Sequence, residues 1–173
     1  MARITTRSTK APILQINFLS HGTLECINMQ ETRRFYEEVF GLQVVQHNTI
    51  SMMVRLGAQH CYAVVETGKP ANMPLLNHNG LDLGSVDEVK KAHELLTSVA
   101  EEYSIRKITP AQWQHGNFGF YVCDLDGNWW ELLANPPGGY SYVFEEPARD
   151  LTGREGFDEV ALRSFSPRPP DLP

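Results

Sequence analysis

Apolar and polar residues recur in the same order in two halves of the chain. Residues Ile13–Asn28 alternate at the period of a strand, and the apolar positions of Met29–Gly41 have the spacing of a helix that ends at Gly41. Three short strand-like segments follow. After a connector that contains two prolines, the order of one strand, one helix and three strands begins again. The pattern therefore predicts an α+β fold with two βαβββ modules.

Alternation and turn residues set the predicted bounds of the other elements. In the first module we predict further strands at Leu42–Gln46, Thr49–Leu56 and His60–Glu66. In the second module we predict strands at His78–Leu83, Ser104–Ile108, Gly119–Asp124 and Trp129–Ala134, and a helix at Ser85–Glu102. Ser85 is the predicted cap of this helix, because Glu88 follows it by three residues.

The second half repeats the first at an offset of 57 residues. At this offset His21 matches His78, and Glu31 matches Glu88 near the start of each helix. Such a repeat indicates internal duplication. Each half-sheet would leave an apolar face and an unpaired edge, so we expect the modules to pair into one curved cleft lined by their sheets. We divide the chain into an N-terminal arm, two modules and an extended C-terminal tail, at residues 1–12, 13–68, 76–135 and 136–173.

Composition argues against two large classes of function. The 173-residue chain is 42% hydrophobic with a formal net charge of −6, and it has no dense block of lysine or arginine. It therefore lacks the electrostatic signature of proteins that bind nucleic acid or anionic lipid. No apolar run approaches the roughly 20 residues of a membrane span, and we expect a cytoplasmic protein that acts on small molecules. Three distant cysteines, Cys26, Cys61 and Cys123, are expected to be reduced thiols of the core.

Two histidines and one glutamate are the candidates for a metal site. His21 and His78 have equivalent places on the first strand of each module, so duplication would bring them to one cleft from opposite sides. Glu131 lies on the last strand between bulky apolar residues, where an unpaired carboxylate would be costly to bury. Two imidazoles and one carboxylate form the ligand set of non-haem Fe(II) oxygenases. We therefore predict one divalent ion held by His21, His78 and Glu131.

Two segments of the chain resemble the vicinal oxygen chelate superfamily, which contains glyoxalase I, fosfomycin-resistance proteins and extradiol dioxygenases. His21–Leu24 and Phe35–Leu42 resemble its opening module, and Phe120–Glu131 resembles its closing module. The resemblance covers about Ile16 to Asn135. Glyoxalase I generally has a fourth protein ligand, whose place in this chain is taken by Ala63.

The resemblance is strongest to the single-pair extradiol dioxygenases. It implies that His60 is an acid–base catalyst, that Tyr121 donates a hydrogen bond to substrate, and that His115 contacts substrate or an intermediate. It also implies Fe(II), with Mn(II) as an alternative. The expected reaction breaks the ring of a catechol-type diol next to its hydroxyls, using O2. Small members of the superfamily often dimerise, so a homodimer is expected.

Two other functions remain open on the sequence alone. One is a metal-dependent lyase, isomerase or thiol transferase on the same scaffold. The other is a metal-free protein that binds a flat aromatic antibiotic, for which Trp113, Trp129 and Trp130 would suit stacking.

Overall fold

Each half of the chain forms its own mixed sheet with one main helix. The computed structural model describes residues 4–57, 59–114, 116–145 and 150–154. The first half contains β1 (His21–Cys26), α1 (Met29–Glu38), β2 (Gln43–Gln46), β3 (Ser51–Arg55) and β4 (Cys61–Glu66). The second contains β5 (Asn79–Asp82), α2 (Val86–Ser98), β6 (Lys107–Ile108), β7 (Gln112–Gln114), β8 (Asn117–Cys123) and β9 (Trp129–Ala134). A helical turn, Leu75–Asn77, precedes β5; another, Gly139–Ser141, leads into the short helix α3 (Tyr142–Glu145). The predicted α+β class is confirmed.

The two sheets have the same topology. Their strand orders are β1-β4-β3-β2 and β5-β9-β8-β6, and β7 pairs with β8 as a fifth strand of the second sheet. Strand β1 is parallel to β4, and β5 is parallel to β9. The registers also correspond, because Thr23 pairs with Ala63 and Gly80 pairs with Glu131. Thr23 and Gly80 are separated by the same offset of 57 residues that relates the sequences. The duplication is therefore present in the backbone, and Ala63 occupies the place of Glu131.

Both main helices begin at polar caps. The Asn28 side chain accepts hydrogen bonds from the backbone of Gln30 and Glu31, and the Ser85 hydroxyl accepts one from the backbone of Glu88. Helix α2 ends at Ser98, four residues earlier than predicted. There the Ser98 hydroxyl donates to the Leu95 carbonyl at 2.7 Å, which competes with the helical hydrogen bonds. In the described part of the chain, no helix has the length and apolarity to cross a membrane.

The first strand is shorter than predicted. We expected Ile13–Asn28, but β1 covers only His21–Cys26. The residues before it have apolar side chains that face solvent, and Ile13 is 98% exposed. Alternation alone does not make a strand when no neighbouring strand supplies backbone hydrogen bonds.

The three cysteines are free thiols, as predicted. Cys26 and Cys123 are buried, whereas Cys61 is only partly buried. Burial raises the pKa of Cys26 to about 11 and also raises that of Cys123. Thiols held in this neutral form are poor nucleophiles, which fits a packing role.

One hydrophobic core joins the two modules. Tyr36 of α1 packs edge-on against Trp130 of β9 with ring centroids 5.6 Å apart, and both side chains are buried. The Asp124 carboxylate accepts hydrogen bonds from the Tyr36 hydroxyl at 3.1 Å and from the Trp130 indole at 3.0 Å. The helix of the first module is therefore fixed to the sheet of the second.

A second carboxyl group strengthens this connection. Asp126, in the turn between β8 and β9, accepts a hydrogen bond from the Ile27 backbone at 2.8 Å and lies 2.7 Å from the Thr32 hydroxyl. That hydroxyl has one proton, yet it is also 2.8 Å from the Asn28 carbonyl. If the Asp126 carboxyl group carries a proton, it can donate to the Thr32 hydroxyl, which can then donate its own proton to the Asn28 carbonyl. Burial raises the pKa of Asp126 from 3.8 to about 6, mainly by disfavouring the charged form.

This raised pKa predicts an unusual dependence of stability on pH. The folded chain holds the Asp126 proton more tightly than the unfolded chain, so this residue's contribution to stability falls as pH rises from about 4 to about 6. Replacing Asp126 by Asn should remove that contribution. Urea unfolding of the wild type and Asp126→Asn across this range measures it, with exposed Asp87→Asn as the control. Stability curves of equal slope for the wild type and Asp126→Asn would contradict the prediction.

Candidate metal centre

His78 and Glu131 face each other across the first two strands of the second sheet. His78 ends the Leu75–Asn77 turn just before β5, and Glu131 lies in the middle of β9. The His78 Nε2 atom is 3.2 Å from Glu131 Oε2. Its other ring nitrogen, Nδ1, is 2.7 Å from the Leu75 carbonyl oxygen.

These contacts determine which ring nitrogen of His78 is free to bind a ligand. A carbonyl oxygen only accepts hydrogen bonds, so Nδ1 must carry the proton that it donates to Leu75. In the neutral ring, Nε2 then presents a lone pair to the carboxylate of Glu131. Two acceptors at this distance need a cation between them, either a proton or a metal ion. A histidine held through Nδ1 by a backbone carbonyl is the usual arrangement of a metal ligand.

Glu131 is enclosed by uncharged polar side chains. Its side chain is only 10% exposed, and Oε1 accepts a hydrogen bond from Gln114 at 3.2 Å. Tyr121 pairs with Glu131 across β8 and β9, and its ring lies 4.8 Å from that of His78. Burial, and then the charge of Glu131, raise the pKa of Tyr121 to about 12. In the contacts described, no lysine or arginine compensates the buried carboxylate, and this donor set fits a divalent ion.

The third predicted ligand lies on the other sheet. His21 begins β1, is exposed, and has its Nδ1 atom 2.8 Å from the Ser20 hydroxyl. Among the residues that the structure describes, no three His, Cys, Asp or Glu side chains converge to hold a metal. One chain thus brings together His78 and Glu131 but does not add His21 to them. The triad stays a prediction.

The other predicted catalytic histidines are less well supported. His60 contacts the Tyr62 ring edge-on at 5.1 Å, and Tyr62 packs against buried Trp130. His21 pairs with Cys61, so His60 and Tyr62 lie on the opposite side of the first sheet from His21. These contacts do not place His60 beside the His78–Glu131 pair. His115 lies outside the described residues.

The sequence did not identify two polar neighbours of this site. Gln114 lies on β7, a three-residue strand that was not predicted, and Tyr140 belongs to the tail. The alternation of Gln112, Trp113 and Gln114 was the available signal for β7. The tryptophans suggested for stacking differ in exposure: Trp130 is buried in the core, whereas Trp113 is 44% exposed.

Comparison with known proteins gives one family and several similar structures. Residues 19–132 match the model of the Glyoxalase/Bleomycin resistance protein/Dioxygenase superfamily. A possible glyoxalase from Bacillus cereus is 22% identical with a TM-score of 0.55, over 68% of this chain and 98% of that one. The fosfomycin resistance protein FosX from Listeria monocytogenes, solved with Mn(II) and sulfate, is 20% identical with a TM-score of 0.58, over 75% and 99%. A glyoxalase-related enzyme from Fulvimarina pelagi is 22% identical with a TM-score of 0.53, over 69% and 89%. No curated protein matches the chain. At these identities the structures show the shared fold alone.

The geometry of His78 predicts its tautomer. In metal-free protein, the single ring proton of the neutral His78 imidazole should reside on Nδ1 because the Leu75 carbonyl requires a donor. Nitrogen-15 chemical shifts of the two ring atoms report this directly, and exposed His47 serves as the control. A proton on Nε2, donated to Glu131, would contradict the assignment.

Proposed function

Because the chain belongs to the Glyoxalase/Bleomycin resistance protein/Dioxygenase superfamily, we propose that it is a metal-dependent enzyme with His21, His78 and Glu131 as ligands of one divalent ion. The observation that carries this proposal is the His78–Glu131 pair, in which a lone pair faces a buried carboxylate at 3.2 Å. All three residues lie within the segment that matches the family model. A divalent ion would supply Lewis-acid chemistry there, and Fe(II) would add the redox chemistry that O2 requires.

We propose that His21 reaches this site from a second copy of the chain. Within one chain His21 lies on the other sheet and is exposed. Just before it, Ile13, Leu14, Ile16, Phe18 and Leu19 are all exposed apolar side chains. Such a concentration of exposed apolar residues is typical of a surface that contacts another protein. In a twofold dimer each copy would supply His21 to the other, which gives two equal sites.

The residues around the pair would bind and orient the substrate. The Tyr121 hydroxyl is positioned beside Glu131 and His78, where it would donate a hydrogen bond to a substrate oxygen. Gln114 would hold the Glu131 carboxylate in place through Oε1. Burial of Glu131 would exclude water and strengthen these polar contacts.

The reaction that we propose is extradiol cleavage of a catechol-type diol with Fe(II) as the metal. The ring bond next to the two hydroxyls breaks, and both atoms of O2 enter the product. Uncharged polar neighbours suit a neutral diol better than a strongly anionic substrate. The proposal does not depend on His60, whose contacts lie on the other side of its sheet.

A redox-neutral metal enzyme is the second candidate. It is favoured by the similarity in fold to FosX, which was solved with Mn(II). Such an enzyme would be active with Mn(II) and would consume no O2. The oxygen measurement therefore separates the two candidates.

Oxygen uptake tests the proposed reaction. Protein loaded with Fe(II) without air, then given catechols and O2, should consume one O2 per ring-opened yellow product. Tyr121→Phe should lower kcat/KM by about a hundredfold because it removes a hydrogen-bond donor to the reacting substrate. Glu131→Gln should abolish activity, and His47→Ala should leave it unchanged. Turnover with Mn(II) in the absence of O2 would instead support the second candidate, and inactivity on a broad catechol panel would count against the first.

A further inference from the structure

The C-terminal tail folds back onto the sheet that carries Glu131. After β9 the chain turns through Gly138 and Gly139. Their φ angles of 92° and 62° are positive, which residue types other than glycine rarely adopt. Tyr140 follows, and its hydroxyl accepts a hydrogen bond from the Asn117 side-chain amide at 2.5 Å. Tyr140 lies outside residues 19–132, which match the family model.

Asn117 and Asn135 lie on the same face of the sheet as Glu131. Asn117 is four residues before Tyr121 on β8, so both side chains project from one face, and Tyr121 pairs with Glu131. Extending the register beyond the Phe118–Ala134 pair places Asn135 opposite Asn117. Four residues of a strand span about 13 Å, so this end of the face is within reach of a substrate bound near Glu131.

Two buried acceptors at this end have no hydrogen-bond donor among the residues that the structure describes. Asn117 is 1% exposed and Asn135 is 3% exposed. The side-chain oxygen of each meets no donor from any residue that the structure describes. An unpaired buried carbonyl costs about 1–3 kcal/mol, so such groups usually have a partner in the functional state.

The charges around these oxygens favour a donor. Asp82 pairs with Leu133, which puts its side chain on the same face, and its carboxylate accepts a hydrogen bond from the Asn135 backbone at 3.1 Å. Glu131 is the other carboxylate on this face. Both raise the pKa of the Tyr140 phenol, after the larger effect of burial. In the metal-free protein the local field is therefore negative.

We propose that Asn117, Asn135 and Tyr140 form a recognition subsite for a hydrogen-bond donor of the substrate, either a hydroxyl or an ammonium group. The inference rests on the proposed function for the position of the rest of the substrate. A hydroxyl would donate to one asparagine oxygen, whereas an ammonium group would donate to both. The Asn117 side-chain amide donates to the Tyr140 hydroxyl, and in this orientation the Asn117 oxygen has no donor among the residues that the structure describes.

Three small probes of equal size test the subsite without a metal. Benzylammonium, benzyl alcohol and ethylbenzene share a ring and a two-atom side chain, and they differ in whether the terminal group donates. Their binding is followed by the side-chain amide resonances of Asn117 and Asn135 in nitrogen-15-labelled protein. The two donor probes should bind at least about fivefold more tightly than ethylbenzene, with benzylammonium the tightest, because hydrogen bonds of charged groups are stronger.

A conservative variant checks that the effect arises at this place. Tyr140→Phe keeps the ring but removes the hydroxyl that holds Asn117, so the preference for donors should fall to about twofold or less. Tyr103→Phe, which removes a hydroxyl bound to Glu38 elsewhere, should keep the full preference. Equal binding of all three probes, absence of binding, or an unchanged preference in Tyr140→Phe would overturn the proposal.

These outcomes are independent of the proposed function. The probes carry no pair of chelating oxygens, and the protein contains no metal in this experiment. A donor preference in a protein that binds no divalent ion would support the subsite and reject the metal-dependent enzyme. Tight metal binding without any preference for donor probes would support the metal-dependent enzyme and reject the subsite.

Discussion

The candidate metal centre depends on the neutralisation of one buried carboxylate. Glu131 lies in the middle of β9 between Trp130 and Leu132, whose side chains enter the core while its own enters the opposite face. The His78 Nε2 atom lies 3.2 Å from its carboxylate, and the Leu75 carbonyl, which accepts from Nδ1, holds the ring with the Nε2 lone pair towards Glu131. A cation between these atoms removes a large electrostatic cost. The proposed metal binding and the proposed orientation of the substrate both depend on this one pair.

Duplication explains why the site has this form. The two sheets have the same strand order and register, yet the first has Ala63 where the second has Glu131. The first module therefore lacks this carboxylate and contributes His21 to the predicted triad, whereas the carboxylate comes from the second. The turn with Asp124 and Asp126 binds α1 to the second sheet, so the modules of one chain share a core on the side away from the site. This arrangement leaves the face that bears His21 exposed.

Sequence patterns predicted local structure better than contacts between distant segments. The Ser85 cap and the bounds of β9 were correct because each depends on neighbouring residues. The strand β7 was missed because its three residues become a strand only by pairing with β8. Periodicity identified the face of His21 but could not say which sheet would lie opposite. The contact between Asn117 and Tyr140 joins a strand to an irregular tail, and no periodic pattern marks such a contact.

Mn(II) binding by mixed variants tests most directly the proposal that His21 of one copy shares a cation with His78 and Glu131 of another. His21→Ala and Glu131→Gln should each bind Mn(II) at least about a hundredfold more weakly than wild type, because each lacks a ligand. Refolded together in equal amounts, they should regain tight binding at about a quarter of the sites, since half of the dimers are mixed and each has one complete site. Absence of any recovered tight sites, or wild-type affinity in either variant alone, would contradict the account.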